Sequence, residues 1–441
     1  MATFTRRTLA LSAVAAGLAA KAAAQAQAPT FPDAAATDPA KLGWMQGTPP
    51  SADKRISFED GSFSQFPQTR WSFSNWRYFL RNIAVSRGEG PVAVLPRAQR
   101  PELDSITFTP MGAAAPMSWR QSLDANYTDA IIVLHRGRVV YERYLGVTTP
   151  ESQHILFSVT KSFVGLIGQS LIAEGKLDPG RAVGAIIPEL AQSGFGDATV
   201  QQVLDMTTAI AFEENYTSPT SGVAKYRDAA RLRPFDTPYR GPEGVFAFAA
   251  TIAKDGVHGE RFTYRSINTE VLSWLIARAE GKPFDQVLSA RIWARLGMEG
   301  EAAFIVDGVG VPVASGGLLA RLRDVSRFGE AMRRGGTIQG RRVFPAEAIA
   351  AITAGGDRAK FPAATYRTLP GASYRAQWWV RHDPHGAYMA RGIHGQGIYI
   401  DPTAEMVIAR FASHPIAGNI ANDPITLPAY DAMAAALMAK R

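Results

Sequence analysis

The sequence predicts an α/β (α+β) fold: an antiparallel sheet flanked by helices, built from both ends of the chain, with an inserted and mostly helical domain. Three observations carry that expectation. Two β-rich runs, Ala130–His135 and Arg138–Tyr144, surround Arg136-Gly137 and read as a hairpin. A later set, Gln377–Val380, Ala387–Ala390, Gly397–Ile400 and Met406–Phe411, reads as a meander with turns at Pro384–Gly386 and Asp401-Pro402. Between them, residues 180–300 follow a mostly helical period, clearest at Pro188–Leu190, Val200–Thr207 and Thr269–Glu280. Strands at both ends with helices between place the two ends in one domain.

Taken in order, residues 1–28 read as an export signal of the twin-arginine type. Thr5-Arg6-Arg7-Thr8-Leu9 precedes a short apolar stretch, Leu9 to Ala20, and small residues run from Ala22 to Ala28. That stretch is too short to span a bilayer, and no later segment reads as a membrane span. The expectation is a periplasmic or secreted protein that is soluble, with no membrane insertion, once the signal is removed. Residues 29–128 read as an extended arm and a loop-rich cap carrying Phe63, Phe66, Trp71, Phe73 and Trp76. Residues 129–165 and 305–441 make the α/β domain, and 166–304 the helical domain. A long polar, proline-bearing loop at 212–244 lies inside the latter, and loops of that length in compact enzymes are usually functional. A helix is expected from Asp324 to Arg333 and a last one from Tyr430 to Lys440.

Composition removes several function classes. With 441 residues, 46% of them hydrophobic and 20% charged, the chain is ordinary globular protein with ample core. The formal charge of +8 includes Arg6, Arg7 and Lys21 of the expected signal, so the mature surface is only mildly basic. No Lys/Arg block or aromatic-interleaved basic stripe suggests nucleic acid. Cysteine is absent, which excludes disulfides, thiolate metal sites and cysteine catalysis. His382 and His385 flank a turn without the carboxylate spacing of a zinc or calcium site. There is no phosphate-cradling loop, dinucleotide fingerprint or G-x-S-x-G elbow. No metal and no cofactor is implied.

The chemistry concentrates at Phe157-Ser158-Val159-Thr160-Lys161-Ser162-Phe163. A hydroxyl near its free pKa is a poor nucleophile and needs a neighbouring base. Residues three apart share a helical face, so Lys161 can aim its amine at Ser158. Burial and the positive end of a helix both disfavour the ammonium and leave an amine able to take a proton. The same helix start offers the Ser158 N–H to an oxyanion. S-x-x-K alone is common on surfaces, but here it precedes an apolar run, Phe163, Val164, Leu166, Ile167, Leu171 and Ile172, that buries the helix. Tyr264, in Thr263–Asn268 at a helix entry, is a phenol that can carry a proton to a leaving group. Ser266 or Asn268 suits the cap of that helix. Gly392–Tyr399 enters a strand, where glycines permit close backbone approach and an N–H could complete an oxyanion hole.

Ser158-x-x-Lys161, Tyr264-Arg265-Ser266 and Gly395-Gln396-Gly397, in that order, resemble the three motifs of the serine β-lactamase and penicillin-binding-protein superfamily. The layout is similar to the class C branch, with a nearer likeness to the 6-aminohexanoate-oligomer (nylon-oligomer) hydrolases and related carboxylesterases. Gly43–Gly47, the hairpin from Thr128 to Tyr144, Gln377-Trp378-Trp379 and His394–Gly397 support the finer match, which spans about residues 43–412. The resemblance implies a β-lactamase/transpeptidase-like fold and a serine hydrolase that forms an acyl-enzyme on a small amide or ester. It implies Ser158 as nucleophile, Lys161 as base, Tyr264 as catalytic tyrosine, and the N–H groups of Ser158 and Ile398 as oxyanion hole. Tyr216 looks like the tyrosine that closes over amide substrate, and Ser266, His394, Gly397 and Trp379 complete the expected substrate contacts. Two departures matter: Ser266 stands where the family has asparagine, and Gly395 or His394 where a lysine usually sits. Without that lysine, β-lactamase or D,D-peptidase activity is the lesser alternative, unless Arg265 or Arg391 supplies the charge. A non-catalytic receptor for cell-wall fragments or β-lactams is the alternative of another class. The sequence does not set the oligomeric state.

Overall fold

Arg136 and Gly137 both take positive φ, 52° and 75°, as a tight two-residue hairpin turn requires, and Thr128–His135 pairs antiparallel with Arg138–Tyr144 around them. This is seen in a computed structural model that describes residues 31–234 and 239–439. The expected export signal, residues 1–28, lies outside the described residues. The hairpin completes a seven-stranded antiparallel sheet ordered Ser373–Arg375, Trp378–Val380, Tyr388–Arg391, Gly397–Asp401, Met406–Ala412, Thr128–His135, Arg138–Tyr144. The two ends of the chain meet where Met406–Ala412 pairs with Thr128–His135. Both strands are almost wholly buried, which is why they read as nearly continuous apolar runs rather than as alternating ones.

Successive side chains of Thr128–His135 feed opposite faces. Ile132 and Leu134 join a core under the Thr160–Ala173 and Leu322–Arg333 helices. Ile131 and Val133 join a second core with Trp119 and Leu123 from the Trp119–Ala125 helix and Leu427, Met433 and Leu437 from the Asp423–Ala439 helix. Gly329 lets the Leu322–Arg333 helix approach the sheet closely, since a Cβ there would sit 2.6 Å from Val407 Cγ1.

Several elements differ from expectation. The cap region holds the Trp119–Ala125 helix, closed by a capping box between Ser118 and Gln121. A second antiparallel sheet runs Asn82–Val85, Ala302–Ile305, Leu318–Ala320, His154–Ile155. The expected 212–244 loop contains the Gly222–Ala229 helix, whose N-cap is the Ser221 hydroxyl. The last helix starts at Asp423 rather than Tyr430 and carries Pro428 within it. Asp33–Arg441 packs as one unit. Among the described residues, no helix is long and apolar enough to cross a membrane.

The Thr160–Ala173 helix is buried along nearly its whole length and is pinned at its start. Ser162 Oγ donates to the Gln377 carbonyl at 2.8 Å, and Trp378 Nε1 donates to the Ser162 carbonyl at 3.2 Å. A Cβ on Gly165 would overlap the Ala376 carbonyl oxygen, at 2.0 Å. The helix start therefore cannot shift without moving the meander.

Candidate active site

Phe157 holds φ at 44° immediately before Ser158, an unusual conformation for a bulky residue and one that persists where the surroundings enforce it. Ser158 lies on the 3₁₀ turn Phe157–Val159, which runs into the buried helix at Thr160. Lys161 Nζ donates to Ser158 Oγ at 2.9 Å and to the Ser315 carbonyl at 2.6 Å. Burial pulls the Lys161 amine down to about 8, against the opposing charges of Glu214 and Glu270. An amine so placed is a base of useful strength near neutral pH.

Glu270 supports the lysine from behind. Its carboxylate accepts from the N–H groups of Ala314 and Ser315 at 2.9 and 2.8 Å, and from the Tyr226 hydroxyl at 2.7 Å. Burial pushes that carboxyl up.

Tyr264 completes the triangle. Lys161 Nζ lies 5.2 Å from its ring centroid, and the Ser158 hydroxyl is near enough to act on the ionisation of the phenol, which burial holds well above its ordinary value. Trp379 stacks on the Tyr264 ring with centroids 5.7 Å apart. Ser266 occupies the helix N-cap position but makes no capping bond there. Its N–H and Oγ donate instead to the two Glu214 oxygens at 2.8 and 2.5 Å, and the Tyr216 hydroxyl donates to Glu214 Oε1 at 2.6 Å. Glu214 thus joins two expected substrate contacts, and no motif distinguishes it along the chain.

Two cavities meet at Ser158. An open groove of about 1140 Å³ is lined by Glu214, Tyr216, Tyr264, Trp379 and Ile393. An inner chamber of about 290 Å³ is lined by Lys161, Phe73, Trp76, Tyr216, Ser266, Ile393 and His394, among others. Phe73 and Trp76 come from the cap, which therefore also walls the site. His394 Nδ1 donates to the His414 carbonyl at 2.7 Å, and burial pulls the ring down to about 4, so it is neutral. Among the described residues, no group of three or more His, Asp or Glu is placed to hold a metal ion.

Ile398 and Gly397 are corrections. Both lie in Gly397–Asp401, an interior strand in which Ile398 pairs with Ala390 on one side and Ala409 on the other. Its backbone belongs to the sheet, and neither residue lines the two cavities at Ser158. The residue that the structure brings to Ser158 is Ile393, five residues earlier. It lines both cavities, and its N–H has no hydrogen-bond partner among the described residues. Gly392 brings this backbone to the serine: a Cβ there would sit 3.2 Å from Ser158 N and 2.7 Å from the Leu156 carbonyl oxygen. The signal was Gly392 itself, which the glycines of Gly395-Gln396-Gly397 overshadowed.

The substitute cations are also corrected. Arg265 donates to the carbonyls of Phe212 and Thr208, each at 2.9 Å, and so braces the loop. Arg391 lies in the groove but is ion-paired with Asp423.

Against known proteins, the beta-lactamase family profile matches residues 121–424. The chain is 34% identical to the 6-aminohexanoate-dimer hydrolase of Paenarthrobacter ureafaciens over 80% of its length and 88% of that protein. It is similar to a structure from Bacillus anthracis provisionally named 6-aminohexanoate-dimer hydrolase, with 30% identity, a TM-score of 0.79, and 89% and 99% of the two chains covered. A penicillin-binding-protein homologue from Caulobacter crescentus shares the fold at 18% identity and a TM-score of 0.54, over 71% of this chain and 96% of that one.

Proposed function

Since this chain belongs to the beta-lactamase family and is a hydrolase, we propose that it cleaves small amides or esters through an acyl-enzyme on Ser158. The observation that carries the reading is the buried Lys161 amine held 2.9 Å from Ser158 Oγ with its pKa lowered to about 8. Lys161 takes the Ser158 proton as Oγ bonds to the substrate carbonyl carbon. The carbonyl oxygen becomes the oxyanion and sits between the N–H groups of Ser158 and Ile393. Tyr264, neutral because it is buried, passes a proton to the leaving nitrogen or oxygen as that bond breaks, and regains one from Lys161. Water then attacks the ester on Ser158 as Lys161 takes its proton, and the acyl–Oγ bond breaks as Lys161 returns that proton to Ser158 Oγ, releasing the acid.

The 6-aminohexanoate-dimer hydrolase relative supports small amides as one substrate class. β-Lactamase or D,D-peptidase action is less supported, because the groove arginine Arg391 is already paired with Asp423. A receptor role is less supported still, since Ser158, Lys161 and Tyr264 are assembled as a working set. We further propose, from residues 1–28 alone, export by a twin-arginine signal to the periplasm or medium. The test is labelling with a fluorophosphonate, followed by turnover of p-nitrophenyl esters, 6-aminohexanoate dimer, nitrocefin and a D-Ala-D-Ala peptide. Folded protein that is not labelled at Ser158, or an unimpaired Ser158→Ala variant, would sink the proposal.

A further inference from the structure

The inner chamber holds a charge that the reaction itself does not use. Arg227, on the Gly222–Ala229 helix, lines it, and among the described residues its side chain has neither a hydrogen bond nor an ion pair. Arg233, six residues on, is by contrast paired with Asp228. Burial and the neighbouring charge of Arg233 pull the Arg227 guanidinium below its ordinary value, against the opposing charge of Asp228, whose carboxylate is itself taken by Arg233. The Arg227 charge also reaches the His394 ring across the chamber and helps keep that ring neutral. The rest of the wall is largely apolar: Phe73, Trp76, Leu80, Ile155 and Val313.

The two cavities divide the substrate between them. Tyr264 and Trp379 line the groove and not the chamber. The leaving group, which takes its proton from Tyr264, therefore departs on the groove side, and the acyl part lies in the chamber beyond Ser158. A half-buried guanidinium that makes no hydrogen bond or ion pair among the described residues is open to an anionic group, while apolar walls accept a methylene chain. At about 290 Å³ the chamber is at the small end of ligand sites.

Resting on the serine-hydrolase reading above, we propose that Arg227 makes the inner chamber a subsite for acyl chains that end in a carboxylate, so that the preferred substrates are half-amides or half-esters of short dicarboxylic acids. The same position would repel an acyl chain ending in an ammonium.

The test uses three esters that differ only at the far end of the acyl chain: p-nitrophenyl hexanoate, mono-p-nitrophenyl adipate and p-nitrophenyl 6-aminohexanoate. In the wild-type protein kcat/KM should be at least about tenfold higher for the adipate than for the hexanoate, and lowest for the aminohexanoate. Arg227→Gln should bring the adipate-to-hexanoate ratio close to one, Arg227→Lys should keep its sign, and Arg227→Glu should favour the aminohexanoate. A wild-type ratio at or below one overturns the proposal, as does an Arg227→Gln ratio equal to the wild-type one. The wild-type ratio decides even if a variant fails to fold. Hexanoate turnover that survives Ser158→Ala would instead remove the underlying enzymatic reading. Hexanoate turnover that needs Ser158 but shows no charge preference removes only the role of Arg227.

Discussion

Glu270 accepts the Ser315 N–H at 2.8 Å, and the carbonyl of that same serine receives the Lys161 amine at 2.6 Å. One residue, Ser315, thus links a buried carboxylate to the Lys161 amine, so the lysine is positioned by a group that touches neither substrate nor nucleophile. Glu270→Gln puts an amide N–H₂ where the carboxylate now accepts from Ala314, Ser315 and Tyr226. A donor then faces a donor in a dry site, and the expected loss of stability is about 1–3 kcal/mol. Urea unfolding measures it, and a midpoint unchanged from wild type would contradict this account of the network.

On the mechanism proposed above, Lys161 sets the pH dependence. Lys161 must be neutral to act, and with its amine at about 8 the acylation rate should rise with pH through that value. Glu214 carries a charge that opposes this lowering, so Glu214→Gln should move the limb to lower pH. Stopped-flow acylation from pH 6 to 10 follows both, and a limb that does not move in the variant would rule out Glu214 as a source of the field.

Stability follows the same proton. The folded-state value of Lys161 lies below its ordinary 10.5, so between about 8 and 10.5 the unfolded chain binds a proton that the folded chain lacks. Stability on this account increases with pH across that window. Lys161→Met has no such group. Wild type should gain in Tm on that variant between pH 8 and pH 10, and a constant difference would exclude the linkage.

Gly392 is predicted to matter for rate more than for folding. A methyl group there meets Ser158 N at 3.2 Å and the Leu156 carbonyl at 2.7 Å, which forces Ile393 away from the serine. Gly392→Ala should slow fluorophosphonate labelling by about 10²–10³, the usual effect of losing one oxyanion donor, with a cooperative thermal transition retained. Labelling at the wild-type rate would show that Ile393 is not that donor.

What the sequence disclosed depended on how far apart the interacting residues lie. Ser158 and Lys161 were legible because three residues along one helix is a local fact, and the hairpin was legible because Arg136-Gly137 fixes its own turn. The meander strands were found to within about a residue or two, yet the residue that faces Ser158 was misplaced. A glycine-rich entry offers several registers, and only the contact between Gly392 and Leu156 selects one. The second sheet was missed because its strands are only two to four residues long and Asn82–Val85 pairs with Ala302–Ile305 across more than 200 positions. The Trp119–Ala125 helix could have been found, since Ser118 and Gln121 carry the spacing of a capping box. Arg227 could not: nothing in its neighbours along the chain says that it lacks a partner in space.

The groups proposed to react come from positions 158, 161, 264 and 393, the last lying 235 positions after the first. A polypeptide still emerging from the ribosome, or clipped short of Ile393, can bring the serine and lysine together without the backbone that would receive the oxyanion. Removal of the segment that carries Ile393 should therefore yield silent protein rather than a weakened enzyme.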